Sequence, residues 1–189
     1  MDGFNTTYIL EKIADMEDGV NSMSDIFKSG MIPEDAPQEL RDLAEVAGIV
    51  IGMDYADLGE KGYDAYGIYS FLPDNEDDVC RILSMVITLS DNIQSVGIYD
   101  MYQIINRVNV RIPCGAFVLS DDEKTLYYRN YSALPKLAGD DETLHNVGLR
   151  IFDSISCVTD WIDVLMGLNE GSMSYEDCIA RLNDFYEQV

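Results

Sequence analysis

Six tyrosines in two short runs are the residues whose type and spacing could form a recognition surface. Tyr63, Tyr66 and Tyr69 fall in one run, and Tyr127, Tyr128 and Tyr131 in another. A tyrosine buries a large ring while its hydroxyl stays wet, which is why it is enriched where proteins meet. These six are the candidate partner-binding residues. Ordinary packing within a sheet is the other use of such residues, and both readings stay open at this stage.

The chemistry of an enzyme is harder to assemble. The single histidine, His145, stands near the start of a helical pattern with no nucleophile at a set spacing from it. There is no Gly-x-Ser-x-Gly elbow, phosphate-cradling loop, dinucleotide fingerprint or His-Glu-x-x-His pair. Cys80, Cys114, Cys157 and Cys178 are scattered with no close pair, each inside an apolar pattern, so they read as reduced core thiols rather than zinc ligands. Asp74-Asn-Glu-Asp-Asp78 invites comparison with a calcium loop, but that pattern needs Gly at 79 and Glu at 85, where the chain has Val79 and Met85. It reads as a solvated acidic turn, like Asp121-Asp-Glu123 and Asp140-Asp-Glu142. On these grounds no catalytic, cofactor-binding or metal-ligating residue is assigned, and a non-enzymatic protein is expected.

The elements that would position the tyrosines can be read from periodicity. Ile98, Met101, Tyr102, Ile105 and Val108 recur at three and four, the face of a helix over 98–109. The period then falls to two. Residues 114–119 and 125–131 flank the polar connector 120–124, which predicts a hairpin. Upstream, Asp35 and Pro37 begin a helix with Leu40, Leu43, Ala44 and Ala47 as its stripe, ending near Gly48. Strands are expected over 49–55 and 63–72, with Gly59 and Gly62 marking the turn between them. Residues 79–90 are long enough for a buried helix. Their β-branched content and polar flanks favour a strand, with Val79, Leu83, Met85, Ile87 and Leu89 on one face and Arg81 among them as the exception.

Downstream, Asp140-Asp-Glu-Thr143 starts a long helix through Leu144, Val147, Ile151, Ile155, Val158, Ile162 and Leu165, with negative charge at the positive end of its dipole. Ser174-Tyr-Glu-Asp177 resembles a capping box with Asp in place of Glu, and opens a last helix with Ile179, Leu182 and Tyr186 inward. The result is an α+β fold, a five-stranded antiparallel sheet covered by helices in the order α-β-β-β-α-β-β-α-α. Residues 1–35 are expected to be an N-terminal helical appendage, with a first helix over 6–16 capped by Thr6 or Thr7, and 36–189 the main domain.

Twelve basic against 35 acidic side chains give a net charge of −23. Such a balance repels nucleic acid and anionic membrane surfaces and suits a basic protein partner. The start Met1-Asp-Gly-Phe-Asn5 lacks a basic region followed by an apolar run, and no stretch nears the ~20 apolar residues of a membrane span, so a cytoplasmic protein is expected. Five strands leave two edges, which predicts a homodimer.

Asn106-Arg-Val-Asn109, then Cys114-Gly-Ala-Phe-Val-Leu-Ser120, then Leu126-Tyr-Tyr-Arg129, resembles the middle of the YbjN-like proteins. Asp153, Asp160 and Asp163 within an apolar stripe, and Gly171-x-x-Ser174 before the last helix, look similar to that family as well. The resemblance covers roughly 36–189. It implies a fold like that of the type III secretion chaperones and a role among bacterial sensory transduction regulators. Residues 1–35 and the helix after Gly171 depart from the simplest version. The function expected is a chaperone-like or regulatory module that binds a client segment through an apolar patch. Two further classes are weighed beside it: an acidic immunity-type protein that neutralises a basic toxin or nuclease, and a small-molecule sensor whose tyrosines line a pocket.

Overall fold

The segment 79–90, which could have been helix or strand, is a strand from Cys80 to Ser90 at the middle of the sheet. Its alternation decides the matter physically. Leu83, Met85 and Ile87 are fully buried on one face, a placement that a 3.6-residue repeat would scatter around a helix. The computed structural model describes residues 3–15, 24–28, 41, 45–46, 49–94 and 97–187. Its elements are α1 (Thr6–Ala14), β1 (Ser24–Lys28), β2 (Ile49–Leu58), β3 (Tyr63–Phe71), β4 (Cys80–Ser90), α2 (Ile98–Asn109), β5 (Ala116–Leu119), β6 (Leu126–Pro135), α3 (Asp140–Asn169) and α4 (Tyr175–Glu187). Neighbours pair antiparallel in the order β1-β2-β3-β4-β6-β5.

The α+β class, the five strands from Ile49 onward and the order α-β-β-β-α-β-β-α-α agree with the spacing. Two expectations for the first 35 residues are corrected. The segment 24–28 is a strand paired with β2, so the region is not purely helical. The cap of α1 is Asn5, whose side chain accepts from the Tyr8 N–H, rather than Thr6 or Thr7. Phe4, Ile9, Leu10 and Ile13 join the main core, and Phe4 packs tilted against Phe71 with ring centroids 5.4 Å apart. Of the helix expected over 35–48, Arg41, Glu45 and Val46 are helical and the remainder lies outside the described residues.

One face of the sheet carries the core. Ile51, Met53 and Tyr55 of β2, Tyr69 and Phe71 of β3, Leu83, Met85, Ile87 and Leu89 of β4 and Leu126, Tyr128 and Leu134 of β6 meet the helices there. From α2 come Met101, Ile104, Ile105 and Val108; Ile104 takes the place expected for Tyr102, whose hydroxyl reaches out to Glu123 at 3.1 Å. From α3 come Val147, Ile151, Val158, Trp161, Ile162 and Leu165. A buried serine, Ser154, interrupts that stripe. It donates to the Arg150 carbonyl and accepts from Asn130 of β6, so its polarity is satisfied. The Asp variant of the capping box holds: Ser174 Oγ accepts from Asp177 N at 3.1 Å and Asp177 Oδ2 accepts from Ser174 N at 3.0 Å.

The edge strand β5 is covered by its own chain. Asn109, the last residue of α2, accepts from Phe117 N and donates to Phe117 O, each at 2.8 Å. Its amide thus plays the part of a neighbouring strand, which blunts the edge against pairing with another chain.

Candidate functional site

Strand alternation divides the six candidate tyrosines between two environments. Tyr63 and Tyr69 share the parity of the core face in β3, and Tyr128 does so in β6. Tyr69 and Tyr128 are wholly buried, so no partner reaches them and their place in the candidate set is corrected. Tyr69 meets Tyr55 hydroxyl to hydroxyl at 2.5 Å, and Gly67 leaves the room: a Cβ there would lie 2.8 Å from both rings. Burial first, and Tyr55 second, push the Tyr69 phenol well above its ordinary value. Tyr128 is raised as well, by burial and then by its bond to Cys114. Tyr63 is half-buried and donates to Glu170 at 3.0 Å, and burial with that carboxylate pushes it up to about 12. All three phenols stay neutral and belong to the packing.

Tyr66, Tyr127 and Tyr131 point the other way. The register lays the outer face out in three rows across β2, β3, β4 and β6. The first is Asp54, Tyr66, Thr88, Tyr127; the second Gly52, Ile68, Val86, Arg129; the third Val50, Ser70, Ser84, Tyr131. Tyr66 and Tyr127 therefore stand two strands apart, about 10 Å at the usual strand spacing, with Thr88 between them. Two adjoining cavities occupy this face. One, of about 690 Å³, is bounded by Tyr66, Ile68 and Thr88, with Asp54, Asp64 and Asp91 around it. The other, of about 480 Å³, is bounded by Ile68, Val86, Thr125, Tyr127 and Tyr131, with Asp121 and Arg129 at its margin. Ile68, Thr88 and Thr125 line both, so they form one continuous groove. Val46, 62% exposed, closes one side of it.

The groove is apolar along its floor, hydroxylated at its walls and acidic at its rim. That arrangement suits a segment with apolar side chains and neighbouring basic ones. Sequence reasoning singled out all three of its tyrosines but grouped them with three core tyrosines. The separating signal was already in the numbering: spacings of three (63, 66, 69) and one (127, 128) change face in a strand, while a spacing of four (127, 131) does not.

Elsewhere the acidic clusters are tied internally. Asp74 pairs with Lys136 at 2.5 Å and Arg81 at 3.3 Å, Asp122 accepts from Ser120, and His145 is exposed on α3. Among the described residues no group of three or more His, Cys, Asp or Glu is placed to hold a metal ion, and no helix is long and apolar enough to cross a membrane. One pairing was not foreseen. Cys114 and Cys157, 43 residues apart, bring their sulfurs to 3.9 Å. No family model matches the chain, and neither does any curated protein.

Proposed function

We propose that the protein is a non-enzymatic binding module, chaperone-like or regulatory in the manner the YbjN-like resemblance implies, and that it takes a client segment in the outer groove of its sheet. The observation that carries this reading is the row Tyr66, Thr88, Tyr127 with the half-buried Val86 beside it, rimmed by Asp54, Asp64, Asp91 and Asp121. Apolar contact supplies affinity, the hydroxyls orient the client's polar atoms, and the carboxylates steer its basic residues. The client is thus an extended stretch with apolar anchors flanked by Lys or Arg.

Photo-crosslinking in cells tests this. A benzophenone side chain at Tyr127 or Tyr131 captures one and the same partner, while the same group at Phe152, exposed on α3, does not. The crosslinked stretch, made as a peptide, binds the purified protein more weakly as salt rises. The double substitution Tyr127→Ala with Tyr131→Ala weakens it about 10–100-fold, the scale of aromatic anchors at an interface. Equal capture from all three positions, or peptide affinity unchanged by the double substitution, overturns the reading.

A further inference from the structure

We propose that Cys114 and Cys157 are a modification site: they form an intramolecular disulfide when the protein meets a hydroperoxide. Their sulfurs lie 3.9 Å apart, so the bond forms once the gap closes by about 1.9 Å to the disulfide length. Cys114 sits half-buried in the loop between α2 and β5, and Cys157 is buried on α3. The loop is held to this geometry from both sides. Tyr128 Oη donates to the Cys114 carbonyl at 2.9 Å and lies 3.4 Å from its sulfur. The next residue, Gly115, has φ +65, and a Cβ there would lie 2.3 Å from the same hydroxyl, so only glycine lets the chain pass so close to the ring. Cys178 is engaged elsewhere, its thiol donating to the Val164 carbonyl at 3.7 Å.

The two sulfurs divide the chemistry. Cys114 is the more exposed and reacts first. Its thiolate attacks one peroxide oxygen, an S–O bond forms, the O–O bond breaks, and the departing oxygen leaves as water or an alcohol after taking a proton. Burial, and then the neighbouring Cys114, push the Cys157 thiol up to about 12, so it is a poor first nucleophile but a well-placed second one. Its sulfur displaces hydroxide from the Cys114 sulfenic acid. The S–S bond forms, the S–O bond breaks, and the thiol proton leaves with hydroxide as water. Overall two thiols lose two electrons and two protons, and one hydroperoxide is reduced. The bridge ties α3 to the loop that enters β5 and closes a loop over a separation of 43 residues, which restrains the unfolded chain.

The test treats the native full-length protein with hydrogen peroxide, blocks the remaining thiols, and counts them under denaturing conditions. The four cysteines of the reduced chain fall to two, and digestion yields a linked Cys114–Cys157 peptide that dithiothreitol separates. Oxidation raises the Tm, and reduction returns it. The variant carrying Cys80→Ser and Cys178→Ser loses both of its remaining thiols. In Cys157→Ser a sulfenic acid probe labels Cys114. Retention of four thiols, a bridge between other cysteines or between two chains, or linkage obtained only in urea overturns the proposal. Label on Cys157 in Cys114→Ser, with none on Cys114 in Cys157→Ser, overturns the order of attack.

Discussion

Replacing Asn109 separates what its two hydrogen bonds do at the edge of the sheet. The side chain bonds both the N–H and the C=O of Phe117 at 2.8 Å, so alanine orphans one backbone donor and one acceptor together. A neutral hydrogen bond contributes about 1 kcal/mol net, so Asn109→Ala should cost about 2 kcal/mol, or roughly 4–8 °C in Tm for a chain of this size. Asn109→Asp is the sharper probe. Its carboxylate still accepts from Phe117 N–H, but its second oxygen faces the Phe117 carbonyl with no proton between them. At neutral pH the aspartate should therefore be the worse of the two, at about 3 kcal/mol. The sign with pH follows. The folded protein disfavours the charged form, so the carboxyl's folded pKa is raised above its unfolded value of about 4. Relative to the parent at the same pH, the variant is least impaired below the unfolded value and loses stability as pH rises through the folded one. Urea unfolding followed by fluorescence of the single tryptophan, Trp161, reads this directly, because Trp161 is buried in the core. An aspartate variant as stable as the alanine variant at pH 7, or a deficit that does not shrink towards pH 4, would refute the assignment of the two bonds.

Three other perturbations reach different layers. Asp163→Ala removes an acceptor on α3 that bonds Glu60 N at 2.6 Å and Lys61 N at 3.2 Å; at this exposed turn the two bonds are worth about 1–2 kcal/mol, and an unchanged urea midpoint would show the turn holds itself. Ile105→Asp places a carboxylate where Ile105 is 5% exposed beneath the sheet, a loss above about 4 kcal/mol, and a parental Tm would mean that α2 presents another face. Asp74→Asn tests the cluster with Lys136 and Arg81, the first of which does most to hold the carboxyl below its usual range. That depressed value contributes stability present above the unfolded pKa of about 4 and lost as pH falls through the lower folded one, so the variant should lie below the parent by under about 1 kcal/mol at pH 7 and converge on it in stronger acid. A gap that persists in acid contradicts this.

Periodicity was enough for the helices and for most of the strands because in each the apolar positions obey one repeat over at least two turns or three alternations. Val147, Ile151, Val158 and Ile162 predict α3, and Leu83, Met85 and Ile87 predict β4. It failed where the deciding contact lies far along the chain. The strand Ser24–Lys28 is five residues long, and its partners in β2 lie 21–29 positions away, so its own spacing carries little information. Asn5 caps α1 and also donates its backbone N–H to Asp140, a bond across 135 residues that no local pattern contains. Cys114 and Cys157 were read as isolated for the same reason, since their closeness depends on how α3 crosses the β5–β6 hairpin. Asn109 drew notice in the sequence through a short resemblance and not through its chemistry, because its use is defined by Phe117 eight residues on.

The groove has a different kind of legibility. Its residues were visible as types, but their function depends on a partition that the core imposes. Every inner position that holds Tyr69 or Tyr128 in the core obliges the alternate positions to carry Ile68, Tyr127 and Arg129 on the opposite face. A sheet whose second face only needed to be wet would fill those positions with charged and small polar groups. Here Val50, Ile68, Ser70 and Ser84 of that second face are buried, and the aromatic rings and Val86 gather beside them, while Asp54, Asp64 and Asp121 stand exposed at the margin. What stays open on that face is Val86 with Tyr66, Tyr127 and Tyr131 around it, so a client held as proposed would meet the rings and the carboxylate rim rather than the buried centre.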